Sequence, residues 1–290
     1  MTLKSEMAAC SSVVDQHFKQ VLSCFADVPV VQAMRYATTG GKRLRAFLVL
    51  ESARVSGADR DRAIWPACAI EALHAYSLVH DDLPCMDDDN LRRGQPTVHV
   101  KWDDATAVLC GDALQTLAFE LVSDPTCHDD PFVRSTLALT LARASGAAGM
   151  VYGQALDIAA ESAAMPLTLE HIMELQNGKT GALITWSATA GAILAKADTD
   201  ALKTYGDALG LAFQIADDIL DVTSDAETLG KAAQKDADAG KATFVSLLGL
   251  DGAKRRAETL VESACDALSI YGSDADNLRE VARFVVERRS

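Results

Sequence analysis

The sequence predicts an all-α fold, and three observations carry that prediction. Apolar residues recur at helical spacing over long stretches, alanine is abundant throughout, and no sustained alternation of Val, Ile and Thr runs marks strands. The 290 residues are 49% hydrophobic, enough to bury a sizeable core. No composition shift, low-complexity linker or repeat of about 20–50 residues divides the chain, so residues 1–290 are expected to form a single domain.

The helical segments follow in order, each bounded by residues that cannot continue a helix. Segment 5–24 opens the series, and Gly40-Gly41 precedes 42–56. Segment 62–83 stops at Pro84, and Gly94 to Pro96 leads into 98–122. Asp124-Pro125 separates that helix from 131–161, and Pro166 precedes 168–195. Segment 199–225 runs into the loop 224–240, and 252–269 and 275–288 close the chain. Several of these helices are long and apolar over much of their surface, as in a large bundle.

Composition narrows the function. A formal charge of −14 and a pI near 4.8 argue against nucleic acid as a partner. Seven cysteines without a CxxC pair point to reduced thiols rather than a disulfide framework or a zinc ribbon. The first residues, MTLKSEMAACSSVVDQHF, lack the apolar core of a signal peptide. No charge-free apolar stretch of about 18 residues is present, so no membrane span is expected and the chain is read as cytoplasmic.

Two aspartate clusters stand at the ends of apolar helical runs. In FQIADDILD, Asp217 and Asp221 are four apart and share a helix face, with Asp218 beside them. Crowded carboxylates among Phe213, Ile215, Ile219 and Leu220 repel, and a hard cation relieves them. In SLVHDDLPCMDDDNLRRG, Asp81-Asp82 precede Asp87. Residues six apart on an ideal helix point about 240° apart. Pro84 is expected to kink or end the helix and let Asp87 return toward Asp81. Arg92 and Arg93 follow at once, which suits an anionic, metal-bridged ligand such as a diphosphate. A single acidic run is usually a solvated loop; two such runs on apolar helices are a different matter. The EF-hand spacing is not met.

The cationic groups are weaker signals one by one. Gly40-Gly41-Lys42-Arg43-Leu44-Arg45 opens a helix, with Lys42 and Arg45 expected on one face, and is not a P-loop. Lys179-Thr180 is flanked by Gly178 and Gly181, and Lys231 and Lys241 lie in the loop after the second cluster. His74 points to nearly the same side as Asp81. Each of these, taken alone, is equally an ordinary surface or core residue.

Together the strings GGKRLR (40–45), EALHAYSLVHDDLPCMDDDNLRRG (71–94), GDALQTLAF (111–119), GQALD (153–157), GKTGALI (178–184), GLAFQIADDILD (210–221) and GKATF (240–244) resemble the trans-prenyl diphosphate synthase family, and within it the bacterial-type farnesyl diphosphate synthases (geranyltranstransferases). DDLPCMD fits the family's first motif, DDxxxxD, and DDILD its second, DDxxD. The resemblance implies an isoprenoid-synthase helical bundle around a deep central cavity, working as a homodimer. It implies that Asp81, Asp82, Asp87, Asp217, Asp218 and Asp221 hold Mg²⁺. Arg92, Lys179 and Lys241 would grip an allylic diphosphate, with Lys231 a further phosphate candidate. Gly41, Lys42, Arg45, His74 and Arg93 would bind isopentenyl diphosphate. Thr180, Gln214 and Gln154 would lie near the reacting carbons. Asn90 and Ala46 depart from the usual Asp and Pro, at positions that are not metal ligands.

The resemblance also bears on product length. Bulk just before the first motif limits the growing chain in this family, and here Tyr76 and Ser77 occupy that place. An aromatic there resembles farnesyl (C15) producers. The alternatives are a geranyl or geranylgeranyl diphosphate synthase, a terpene cyclase, which would lack GGKR with Arg93, and a non-catalytic subunit.

Overall fold

The computed structural model describes residues 2–161, 167–224 and 243–287. They are almost wholly helical, as the periodicity predicts, and pack as two compact units.

The first unit comprises residues 1–138 with 193–196. Its helices are α1 (Leu3–Ser23), α2 (Pro29–Ala37), α3 (Leu44–Ser56), α4 (Arg60–Asp81), α5 (Val98–Lys101), α6 (Asp104–Ser123) and the start of α7 (Pro131–Ser145). On α1 the buried residues Cys10, Val14, Phe18 and Leu22 recur every fourth position, a single stripe turned inward. Burying each of its larger members contributes about 1.5–3 kcal/mol. Helices α3 and α4 are buried over much of their length, from Ala46 to Ala53 and from Ala63 to Val79. Helix α6 is long and apolar enough to cross a membrane by length and composition, although no such helix was expected. Ala107, Cys110, Leu114, Leu117 and Leu121 nevertheless face the core of this unit. Asp103 caps α6, its carboxylate accepting from the Thr106 N–H at 2.7 Å.

The second unit comprises residues 139–192 and 197–290. It holds α8 (Met150–Glu161), α9 (Leu169–Gln176), a π-helical turn (Asn177–Gly181), most of α10 (Ala182–Ala195), α11 (Asp200–Ser224), α12 (Phe244–Ala267), a 3₁₀ segment (Leu268–Ala275) and α13 (Asp276–Glu287). Ile172, Leu211, Ile215, Phe244, Ala253 and Ala257 form a buried cluster that joins α9, α11 and α12.

The differences from the sequence-based segments are local. Helix α2 was not expected; Pro29 at its first position presets the helical φ without losing a needed donor. The segment 131–161 is two helices, broken at residues 146–149, where Gly146 and Gly149 stand. A two-residue ribbon, β1 (Leu91–Arg92) with β2 (Gln95–Pro96), is too short to show as alternation. Helix α12 begins eight residues before the expected 252, with Gly249 at φ 69° marking a kink inside it.

Candidate functional site

The first aspartate motif is built where α4 stops. Leu83 N–H turns back to His80 O at 3.2 Å, Pro84 offers no N–H, and Met86 N–H donates to Leu83 O at 2.8 Å. Asp87 N–H then donates to Asp81 O at 2.8 Å. The return of Asp87 toward Asp81 is therefore fixed by the backbone, with the helix ending at Asp81 rather than kinking. Asp81 is half-buried, Asp87 exposed, and Asp82 only 3% exposed. The Asp82 carboxylate is held in a fork: Arg92 Nε donates to it at 2.8 and 2.9 Å and Nη2 at 2.6 Å. The β1–β2 ribbon carries Arg92. Burial works against the Arg92 charge, but its hydrogen bonds to Asp82 and the charges of Asp82, Asp81 and Asp89 raise its pKa on balance.

In the same unit the GGKR segment makes a cradle, though not by the expected helix face. Helix α3 starts at Leu44, so Lys42 precedes it and does not share a helical face with Arg45. Gly40, Gly41 and Arg43 all have positive φ, at 76°, 95° and 50°. Gly41 has a left-handed φ that strains any residue with a side chain, and a Cβ there would meet Arg93 Nη1 at 2.7 Å and push that guanidinium aside. The Arg93 guanidinium thus lies against the Gly41 backbone. Burial, and then the charge of Arg43, lower the pKa of Arg93; burial likewise lowers that of Arg45. Burial, followed by Arg45, Arg93 and Arg92, holds His74 well below the ordinary imidazole value, so it is neutral at pH 7. The Nε of Arg45 is buried with no hydrogen-bond partner. Crowded guanidiniums with an unmet donor are stabilised by an anion.

Tyr76 lies one and a half turns before Asp81 and is 8% exposed. Its ring meets His80 edge-on at 5.2 Å, and His80 Nε2 is 3.0 Å from Val108 O on α6. Burial, then the charges of Asp81 and Asp112, push the Tyr76 phenol up, opposed by a hydrogen bond with Gln115. The Ser77 hydroxyl donates to His74 O at 2.9 Å.

The second unit carries the other motif on an unbroken helix, α11. Asp217 is half-buried, Asp221 exposed and Asp218 7% exposed. Asp218 accepts from Gln214 Nε2 at 3.2 Å and from the Phe244 N–H at 2.8 Å, at the start of α12. Thr180 Oγ1 donates to Gln214 Oε1 at 3.4 Å, so a hydroxyl, an amide and a carboxylate run in series. Thr180 and Lys179 sit in the π turn, where the Ala182 N–H reaches Asn177 O. Helix α8 presses against that turn: a Cβ on Gly153 would lie 1.9 Å from Lys179 N. Lys179 Nζ is paired with Asp157 Oδ2 at 2.6 Å, and Gln154, on α8, is half-buried.

The structure thus gathers Gly41, Arg45, His74 and Arg93 in one unit, with Asp81, Asp82, Asp87 and Arg92 grouped beyond them. It gathers Lys179, Thr180, Gln214 and Asp218 in the other. Lys231 and Lys241 lie outside the described residues. Sequence reasoning missed Arg43, Glu71 and Asp15, which form a largely buried ion network, and Asp157. Arg43, Glu71 and Asp157 stand in the GGKRLR, EALHAYSLVHDD and GQALD strings, whereas Asp15 had no local signal. Among the described residues no three acidic, His or Cys side chains close into a metal cage. The carboxylates present, with Asp81 and Asp217 half-buried and Asp87 and Asp221 exposed, are hard oxygen donors of the type that Mg²⁺ takes one or two at a time, with water and phosphate oxygens.

Comparison with known proteins gives a consistent result. The profile of the family described as Polyprenyl synthetase matches residues 28–281. A farnesyl diphosphate synthase of Escherichia coli K12 is 42% identical, with 99% of each chain covered. A heterodimeric geranylgeranyl pyrophosphate synthase large subunit of Arabidopsis thaliana is 41% identical over 89% of this chain and 72% of its own. The crystal structure of an FPP/GFPP synthase from Zymomonas mobilis superposes with a TM-score of 0.91 at 48% identity, covering 98% of this chain and 99% of that one.

Proposed function

The chain belongs to the polyprenyl synthetase family, with its all-α isoprenoid-synthase fold, and from that premise we propose that it condenses isopentenyl diphosphate head-to-tail with dimethylallyl and then geranyl diphosphate. The products are farnesyl diphosphate and released diphosphate. The observation that supports this reading is the crowding of Arg45 and Arg93 with Gly41 and His74, beside Lys42 in sequence, which would serve as a diphosphate site additional to the aspartate motifs. A terpene cyclase, with one diphosphate to hold, has no use for it.

Asp81, Asp82 and Asp87, with Asp217, Asp218 and Asp221, are the carboxylates that would hold Mg²⁺; of these Asp82 and Asp218 are buried and also accept hydrogen bonds from Arg92 and from Gln214 and the Phe244 N–H. Bound there, Mg²⁺ supplies electrostatic stabilisation of the diphosphate leaving group. Arg92, Lys179 and Lys241 take up the negative charge that develops on that group, and Lys231 is a further candidate. The Thr180 hydroxyl and the Gln214 and Gln154 carbonyls present dipoles to the allylic carbons as they become cationic. Arg45, Lys42 and Arg93 hold the second diphosphate so that its double bond meets that carbon, and the proton lost goes to the departing diphosphate. No side-chain nucleophile is required. Tyr76, with Ser77 beside it, closes the hydrocarbon path after C15. The FPP/GFPP description of the Zymomonas protein favours a second reading, a longer product.

In this reading the protein is a cytoplasmic homodimer of single-domain chains, without a membrane span or nucleic-acid partner. The exposed Val108 and Leu109 on α6 support an apolar face for pairing. The test is a product assay with isopentenyl and geranyl diphosphate, with Mg²⁺ and with EDTA. Metal-dependent C15 supports the reading, C20 or C25 keeps the reaction and removes Tyr76 as the stop, and no condensation by folded protein overturns it.

A further inference from the structure

We infer that Arg43 is a positioning residue for the isopentenyl diphosphate cradle, acting through the backbone of its neighbours rather than by touching the ligand. The inference rests on the reading above that the cradle binds isopentenyl diphosphate. Arg43 is the N-cap of α3, yet its side chain does not cap the helix, and its φ of 50° and ψ of 35° are left-handed. A residue with a Cβ is held in that conformation only when its surroundings over-determine it. They do so here. The Arg43 side chain is 3% exposed; its Nη2 donates to Asp15 at 2.6 Å and to Thr38 O, and its Nη1 to Glu71 at 3.4 Å. One guanidinium therefore ties together α1, the residue after α2, and α4.

Glu71 supplies the other half of the device. Its Oε1 accepts from the Ala46 N–H at 3.0 Å, the capping bond that Arg43 does not make. The carboxylate anchors Arg43 and the first turn of α3 at once, three residues before His74 on the same helix. Lys42 immediately precedes Arg43 and Arg45 follows two residues later, so their directions depend on the backbone it fixes. The Nε atoms of Arg43 and Arg45 are both buried without a partner. They differ in what surrounds them: the Nη atoms of Arg43 meet two carboxylates and a carbonyl, whereas burial lowers the pKa of Arg45 against the opposing charge of Glu71. The Nη atoms of Arg43 are thus engaged by the protein, and the Arg45 Nε is a donor that an anion would meet.

The experiment compares wild type with Arg43→Lys and Asp15→Asn. Asp15→Asn changes a side chain that is 35% exposed and lies on α1, away from the aspartate motifs, so folding is kept. Isopentenyl diphosphate is titrated at saturating geranyl diphosphate, then the reverse, and calorimetric binding of isopentenyl diphosphate is measured in EDTA. The KM and Kd for isopentenyl diphosphate are expected to rise about tenfold in Arg43→Lys and about threefold in Asp15→Asn, with the geranyl diphosphate KM within about twofold. Equal rises in both KM values, or a lower melting temperature with both KM values unchanged, would overturn the inference. A wild type that binds no isopentenyl diphosphate sinks the proposed function as well, so the two failures are told apart. If Arg43→Lys does not fold, the Asp15→Asn ratio alone decides.

Discussion

In residues 81–87 the chain leaves its helix and returns, whereas in residues 217–221 it never leaves. Yet each motif presents a half-buried first carboxylate, a buried second and an exposed third. Spacing differs because the third aspartate is delivered by a backbone hydrogen bond in one case and by the helical repeat in the other. The buried middle aspartate is also compensated differently. Asp82 faces a cation, Arg92, which keeps 33% of its side chain accessible. Asp218 accepts from the Gln214 amide and from the Phe244 N–H that opens α12. The lesson is that the protein satisfies the buried middle carboxylate of each motif, and that the means of satisfying it is free to vary.

Removing the outer carboxylates should cost most. Asp81→Ala and Asp217→Ala are each expected to lower kcat/KM about 10³-fold, some 4 kcal/mol, with melting temperature little changed. A difference of more than about tenfold between them breaks the equivalence of the two motifs. Next comes Gly153→Ala, which displaces the backbone of Lys179: about a 10²-fold loss in kcat, while binding of isopentenyl diphosphate is kept. The middle aspartates then separate. Asp82→Asn should destabilise by about 2 kcal/mol, discounted from a fully buried pair because Arg92 is partly exposed, and the loss should shrink in high salt. Asp218→Asn should cost less, under about 1 kcal/mol, since the amide oxygen still accepts from the Phe244 N–H. Denaturant titrations at two salt concentrations check both.

The smallest effect concerns pH. Unfolded, His74 takes a proton near its ordinary value of 6.5; folded, it does so only well below. Its contribution is thus fully present above pH 6.5 and is lost as pH falls beneath it, because the unfolded chain then binds the extra proton. His74→Gln should flatten the acid limb of a stability–pH curve and leave the alkaline limb alone. No such flattening would mean that His74 is not held neutral by its burial and its arginine neighbours.

Much of the fold was legible because helical periodicity is local. Pro84 announced the end of α4 and the return of Asp87, and the bond from Asp87 N–H to Asp81 O bears that out. The four-residue spacing of Asp217 and Asp221 survives because α11 is continuous. What escaped was long-range or slight. Arg43 pairs with residues 28 positions away on both sides, Asp15 and Glu71, and no local pattern announces such a pair. Lys42 and Arg45 were assigned one helical face, but the left-handed Arg43 starts the helix two residues later. The π turn left no compositional trace beyond Gly178 and Gly181.

That turn has a further consequence. Its bond from the Ala182 N–H to Asn177 O spans five residues instead of four, so the helix carries one residue more than a straight α-helix needs. Deleting any single residue from 177–181 would let four residues close the turn that five now close, so the hydrogen bonding becomes regular and α10 keeps its direction. Trp186 would still reach Thr140 Oγ1, now 3.0 Å away. The extra residue sets Lys179 and Thr180 off the regular helical positions, so a one-residue gap here should spare the packing of α10 and cost the placement of those two side chains.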